Sequence, residues 1–178
     1  MVDELSELVW VLKPHRDLSD AEKQTIARLK DQHWRYGLAS QLDWMERNLT
    51  AGDTHVMGLE PTGAGFALRA YATVTPCAIR LDGRDVTALG VGGVCVDQRV
   101  EHTGCGKKLL RAATAFIEER GQPGILLCRD ALVPFYRKCG WSRLPCQTAT
   151  VAGAAFGHNV MTTDDALCCT SFAVDKNF

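Results

Sequence analysis

The chain has 178 residues, 46% of them hydrophobic, and its 20 Lys and Arg nearly balance 21 Asp and Glu for a net charge of −1. That is enough for one ordinary domain, residues 1–178, with a core of its own. It excludes a basic field for nucleic acid, and no apolar run approaches the ~20 residues that a membrane span needs.

Residues 9–12 read as a first short strand, closed by Pro14. Ser19-Asp20-Ala21-Glu22 is a capping box, so a helix starts there and runs to about His33. Gly37 breaks it, and a second helix fits 40–49, with Leu42, Met45 and Leu49 on one stripe. A strand at 54–60 and another at 66–75 flank a hairpin loop at 61–65. A separate extended segment at 77–81 is turned by Asp82-Gly83 into 86–96, which is apolar throughout and suits a strand covered on both faces. Inside it Gly92-Gly93 suggests a bulge or a close backbone approach. The segment 104–120 is a strong helix with Leu109, Leu110, Ala113, Phe116 and Ile117 on one stripe, and Gly121 stops it. A buried strand follows at 125–128, so strand, helix and strand make a right-handed unit with its two strands parallel. A short helix at 131–139 precedes terminal strands at 142–151 and 167–174, joined by a long polar loop at 157–165. Trp141 reads as core.

Eight cysteines without a C-x-x-C pair or a zinc-ligand spacing, in a chain whose start Met1-Val2-Asp3-Glu4 has no export pattern, point to reduced structural thiols in a cytoplasmic protein. Cys95, Cys105, Cys128, Cys139 and Cys168 fall inside predicted elements, as small apolar residues do. Cys105 stands at a predicted helix N-terminus, which lowers a thiol's pKa, but a buried spacer is favoured there over a redox role.

The chemistry concentrates where the apolar strand Val94-Cys95-Val96 meets Glu101-His102-Thr103-Gly104-Cys105-Gly106. Glycines at 104 and 106 let the backbone approach an anion, and the free N–H groups of the first helical turn point out to meet it. Lys107 and Lys108 oppose the helix dipole there, which makes sense if an anion docks nearby. About thirty residues on comes Phe135-Tyr136-Arg137-Lys138-Cys139-Gly140-Trp141.

These two motifs, in this order, resemble the GCN5-related N-acetyltransferase family over about 69–150. The resemblance implies an α/β fold with a mixed, mostly antiparallel sheet, a splayed parallel strand pair and about four flanking helices. It implies acetyl-CoA as co-substrate, its pyrophosphate on Gly104, Cys105 and Gly106, with Glu101, His102, Thr103, Lys107 and Lys108 around it. Val94, Cys95 and Val96 would border the thioester and its arm, with Val94 and Val96 offering backbone groups. Tyr136 would protonate the leaving thiolate: against an ordinary thiol the transfer is uphill by ~1.5 pKa units, about 2 kcal/mol. The alternative for Tyr136 is a core aromatic pair with Phe135. Glu101 departs from the family, which has Gln or Arg there. Trp34, Tyr36 and Trp44 from the first helices would wall the acceptor pocket, or else fill the core.

The whole chain is loosely similar to the aminoglycoside 2′-N-acetyltransferases, through 132–141 and Thr162-Thr163-Asp164-Asp165, which puts Asp164 and Asp165 near the acceptor. It departs from them at Gly92, where they carry a glutamate, and at Phe178, where they end in tryptophan. The acceptor therefore stands open between an aminoglycoside, another small amine, and a protein or peptide amine. Glu60, Asp130, His158, Asp164, Asp165 or a water relay are the candidates for general base. A non-catalytic acyl-CoA-binding regulator is the rival class; a nucleotide-binding module fits less well, since the glycines follow a late strand. No metal site, nucleic acid or membrane is expected, and a homodimer is compatible with the sequence.

Overall fold

The computed structural model describes residues 7–178, so the acidic stretch 1–4 lies outside the described residues. The chain forms two compact units: one runs up to Thr73 and includes Gly93–Ala112, and the other comprises Val74–Gly92 and Ala113–Phe178.

In the first unit, strand β1 (Val9–Pro14) pairs antiparallel with β2 (Thr54–Thr62), Val9 facing Leu59 and Pro14 facing Thr54. Helix α1 (Asp20–Asp31) starts where the capping box requires: the Glu22 N–H donates to Ser19 Oγ at 3.3 Å, and the Ser19 N–H donates to the Glu22 carboxylate at 2.8 Å. Helix α2 (Leu38–Asn48) begins earlier than its apolar stripe suggests, because Gly37, at φ +84°, caps it rather than merely ending the helix before it. Its buried positions are Gln41 and Met45, while Leu42 is only half-buried. Gln41 can be buried because its Nε2 donates to the Trp34 carbonyl at 2.7 Å. Ile26 and Leu29 of α1, Met45 of α2, Met57 of β2 and Leu68 and Tyr71 of the next strand make one apolar core.

That next strand, β3 (Gly65–Leu81), corrects two expectations. The hairpin loop before it is only Gly63-Ala64, since β2 runs on through Pro61 to Thr62. The separate segments at 66–75 and 77–81 are a single strand that passes through Pro76. Proline lacks an N–H, but the ladder between β3 and β10 (Ser171–Val174) uses only Ile79, Arg80 and Leu81, so Pro76 lies outside it. Asp82 and Gly83, both at positive φ, turn β3 into β4 (Arg84–Val96) as the sequence anticipates.

The second unit has the strand order β6-β9-β5-β4-β3-β10-β7-β8. Helix α3 (Cys105–Glu118) leads into β5 (Gly124–Cys128), and β4 and β5 are parallel, with Leu89, Gly90 and Val91 opposite Gly124, Ile125 and Leu126. Helix α4 (Val133–Lys138) follows a single 3₁₀ turn. The expected strand 142–151 is broken at Pro145 into β6 (Ser142–Arg143) and β7 (Thr148–Val151). The expected polar loop 157–165 contains β9 (Asn159–Thr162), preceded by the short β8 (Ala154–Ala155). All four residues of β9 are buried and it pairs antiparallel with β5, so packing outweighs its weak local signal. The last strand is likewise shorter than 167–174, and Cys168 falls outside any element, on the surface. Trp141 is core, with its Nε1 donating to Thr114 Oγ1 at 3.1 Å. No helix among the described residues is long and apolar enough to cross a membrane.

One buried polar chain crosses the first unit. His15 Nδ1 and His55 Nε2 are 3.0 Å apart, and His55 Nδ1 is 2.9 Å from Tyr71 Oη. Asp53 lies beside them, its Oδ1 buried without a hydrogen-bond partner. Burial, then the neighbouring His15, pulls His55 down to about 4, against the pull of Asp53. The unfolded imidazole takes a proton near its ordinary 6.5, while the folded one resists until about 4. The stability that this difference contributes is present above pH 6.5 and lost as pH falls towards 4. Urea midpoints measured between pH 7 and 4.5 should therefore drop, and His55→Gln should flatten the drop while lowering stability at pH 7. Parallel curves for the two proteins would contradict it.

Candidate active site

The loop leaving β4 is fixed before it reaches α3. The Asp97 N–H donates to the Arg69 carbonyl at 2.8 Å, and the Asp97 carboxylate accepts from the Arg99 N–H at 2.9 Å. The same carboxylate takes Arg69 Nη1 at 3.2 Å, while Arg69 Nη2 reaches Glu60 Oε2 at 2.7 Å. Burial opposes the charge on Asp97, but the Arg99 N–H, Gln32 and Arg69 hold its carboxyl below the usual range. The end of α1 clamps the other side: Gln32 Oε1 accepts from the Gln98 N–H at 3.1 Å, and His33 Nε2 donates to the Val96 carbonyl at 2.6 Å.

The chain then turns through His102 at φ +62° and Gly104 at φ +86°. An added Cβ at Gly104 would meet nothing within 4 Å, so the left-handed backbone, not crowding, calls for glycine. Lys108 N–H donates to the Gly104 carbonyl at 3.1 Å, the bond that opens α3. The N–H groups of Cys105, Gly106 and Lys107 precede that bond and have no acceptor within the helix. Glu101, His102, Thr103, Lys107 and Lys108 are exposed around them. Open space above a left-handed glycine, three outward amides at the positive end of a helix and two lysines fit a diphosphate. Cys105 is the buried spacer that the sequence favours: its side chain is buried, and burial raises its thiol despite the helix terminus and Lys108.

The two readings offered for Gly92-Gly93 divide between the residues. Gly93, at φ +61°, takes the left-handed conformation that a bulge would need, and a Cβ there would lie 3.4 Å from Tyr71 Cε1. Gly92 makes the close approach: a Cβ would collide with the main chain of Phe178, as one at Gly90 would with its ring.

Val94, Cys95, Val96, the turn from Glu101 to Lys108, and Trp34, Tyr36 and Trp44 belong to the first unit. Trp34 and Trp44 pack partly against its core, Lys30 Nζ standing 4.2 Å over the Trp44 ring, while Tyr36 is 71% exposed. Tyr136, Asp164 and Asp165 belong to the second. Tyr136 is buried, edge-on to Phe135 with centroids 5.1 Å apart. Burial, then Cys128 and Cys139, pushes its hydroxyl further up, so it stays protonated near neutrality. Asp164 closes the turn after β9, its Oδ1 accepting from the Ala166 N–H at 2.9 Å, and Asp165 is exposed. Among the candidate bases, Glu60 is in the Arg69 pair, Asp130 accepts from Asn159 Nδ2 at 2.6 Å, and the exposed His158 stands edge-on to Phe156.

Gln32 and His33 were not legible as site residues, because their partners lie 66 and 63 residues away in sequence, and Arg69 joins Glu60, nine residues off, to Asp97, 28 residues on. Asp97 had one signal, its place directly after Val94-Cys95-Val96. A depression of about 520 Å³ in the first unit, bordered by Lys13, Glu22, Ile26, Met57, Leu59 and Phe66, contains none of the expected site residues.

Residues 15–144 match the model of the acetyltransferase (GNAT) domain, so the chain belongs to the GNAT acetyltransferase family. Its fold is the family's mixed α/β fold, and it is an acyl-CoA-dependent acyltransferase with acetyl-CoA as co-substrate. Among solved structures it is similar to ElaA of Escherichia coli, at 17% identity and a TM-score of 0.63 over 88% of this chain and 99% of that one. An acyl-CoA N-acyltransferase from Pseudomonas aeruginosa gives 19% and 0.63, over 89% of this chain and all of that one. The GNAT family N-acetyltransferase YhbS of Escherichia coli, solved in complex with CoA, gives 14% and 0.64 over 98% and 93%. No curated protein matches the sequence significantly.

Gly104→Val places a branched side chain at φ +86°, a strain of roughly 1–2 kcal/mol. The protein should still fold, but acetyl-CoA should no longer raise its melting temperature. Equal ligand-induced shifts in the variant and the parent protein would remove the turn from the coenzyme site.

Proposed function

We propose that this protein transfers the acetyl group of acetyl-CoA to the primary amine of a small molecule by direct attack, with Tyr136 as general acid. The observation that carries the reading is the left-handed Gly104 opening α3, with two exposed lysines and three first-turn amides that have no acceptor within the helix. Gly104, Cys105 and Gly106 would hold the pyrophosphate through their backbone. Val94 and Val96 would border the pantetheine arm and steady the thioester carbonyl from the main chain. The coenzyme supplies an activated acetyl group, and the amine's lone pair forms the new bond to it. As the carbon–sulfur bond breaks, Tyr136 Oη gives its proton to the sulfur, and the proton that the attacking amine loses leaves through a base or a water relay and restores the phenol. Burial raises the phenol, which by itself makes that transfer more uphill. The same low-dielectric surroundings raise a departing thiol as well, so the gap between them narrows again.

An aminoglycoside is the first acceptor to test, on the strength of the Asp164-Asp165 turn, followed by other small amines and peptide amines. We place the reaction in the cytoplasm. The burial of Tyr136 favours one rival reading, a core tyrosine in an acyl-CoA-binding regulator without turnover.

Thiol release from acetyl-CoA against a panel of aminoglycosides, simple amines and peptides separates the two. Turnover with at least one amine is expected, and Tyr136→Phe should lower kcat by roughly 10²–10³ with acetyl-CoA affinity unchanged. The loss should shrink at high pH, where a thiolate leaves without a proton. No release with any acceptor would favour the regulator. Unchanged kcat in the variant would remove the general acid and leave the coenzyme site standing.

A further inference from the structure

All eight cysteines are free thiols, and three of them meet where β7 and β10 begin. These strands are parallel, Thr148 opposite Ser171 and Val151 opposite Val174. Carried two residues back in the same register, Cys146 stands opposite Cys169. The two chains are still joined there: the Cys169 N–H donates to the Pro145 carbonyl at 3.3 Å, and the Gln147 N–H donates to the Thr170 carbonyl at 2.8 Å. Both cysteines are half-buried and pack against the same apolar cluster, which puts their thiols on one face. Neighbouring strands lie about 4.8 Å apart, inside the ~4.4–6.8 Å that a disulfide spans between Cα atoms. Cys168, the next residue, is exposed.

We infer that Cys146 and Cys169 are a thiol–disulfide modification site, oxidised by a small-molecule disulfide that enters through Cys168. The Cys168 thiolate attacks the reagent, forms a mixed disulfide and releases one reagent thiol. Cys169 takes over the reagent's sulfur by exchange and frees Cys168. Cys146 then attacks the Cys169 sulfur and expels the second reagent thiol. Two protein thiols lose two electrons and two protons, and the reagent disulfide becomes two thiols. The entry residue matters because the pair itself is sluggish. Burial, then Cys146, Asp82 and Cys168, pushes the Cys169 thiol up to about 11, and burial raises Cys146. In a reducing compartment such a pair is a sensor rather than a staple.

The bond would tie the root of β10 to that of β7. The chain beyond β10 reaches Phe178, which lies on Gly90 and Gly92 of β4, so the oxidised and reduced forms would hold that covering segment to different degrees.

The test is incubation of the folded protein with oxidised glutathione, followed by intact mass and peptide mapping. The expected product is a monomer lighter by ~2 Da with Cys146 linked to Cys169, a higher melting temperature, and full reversal by dithiothreitol. Cys169→Ser should abolish the linkage. Cys168→Ser should slow its formation about tenfold and leave the same product, and Cys77→Ser should change neither. Glutathione on Cys168 alone, a link between Cys168 and either neighbour, or a Cys146–Cys169 link formed only in urea would each overturn the inference.

Discussion

The grip of Arg69 on two carboxylates is the constraint on which the candidate site depends. Its guanidinium is held by Glu60 on β2 and by Asp97 just past the end of β4, with all three side chains mostly buried. Removing one member would leave charge without its partner in a partly dry place, which costs more than the pair contributes. With Asp97 fixed, its second oxygen caps the next turn. Gln32 and His33 add two bonds from the end of α1, so the departure of the loop from Val96 is set from both sides. The direction in which α3 presents its first-turn amides follows from that fixed departure and from the left-handed step at Gly104.

What the sequence makes legible is what short-range rules govern. The Ser19–Glu22 capping box, the Asp82-Gly83 turn and the apolar stripe of α3 are local signals, and each appears where expected. The glycine turn of the candidate site is local too, with Gly104 in the left-handed region at the start of α3. The errors come from elsewhere. Four-residue β9 carries no period of its own and exists because β5 offers it an edge. Pro76 argued for a break in β3, yet the ladder with β10 starts beyond it. The clamp residues Gln32 and His33 reach across more than sixty residues and Arg69 reaches Asp97 across 28, so nothing near them in sequence announces those partners.

At Cys105 local physics overrides a general rule. A helix N-terminus ought to acidify Cys105, but burial acts on the same thiol and wins. Trp34, just past α1, and Trp44 on α2 pack partly against the core, one of the two places that the sequence leaves open for them, and Lys30 lies over the second ring. The glycines of β4 serve separate ends as well: Gly93 takes a left-handed step next to Tyr71, and Gly90 and Gly92 make room for Phe178. Any side chain at position 92 would collide with that segment.

The central claim is that the coenzyme's pyrophosphate docks on the first turn of α3. Amide ¹⁵N–¹H spectra recorded while CoA is added test it most directly. The account predicts that the resonances of Cys105, Gly106 and Lys107 move most, that Gly104 moves with them, and that raising the salt weakens the titration. Saturable CoA binding that leaves those amides in place and shifts another part of the chain would contradict it.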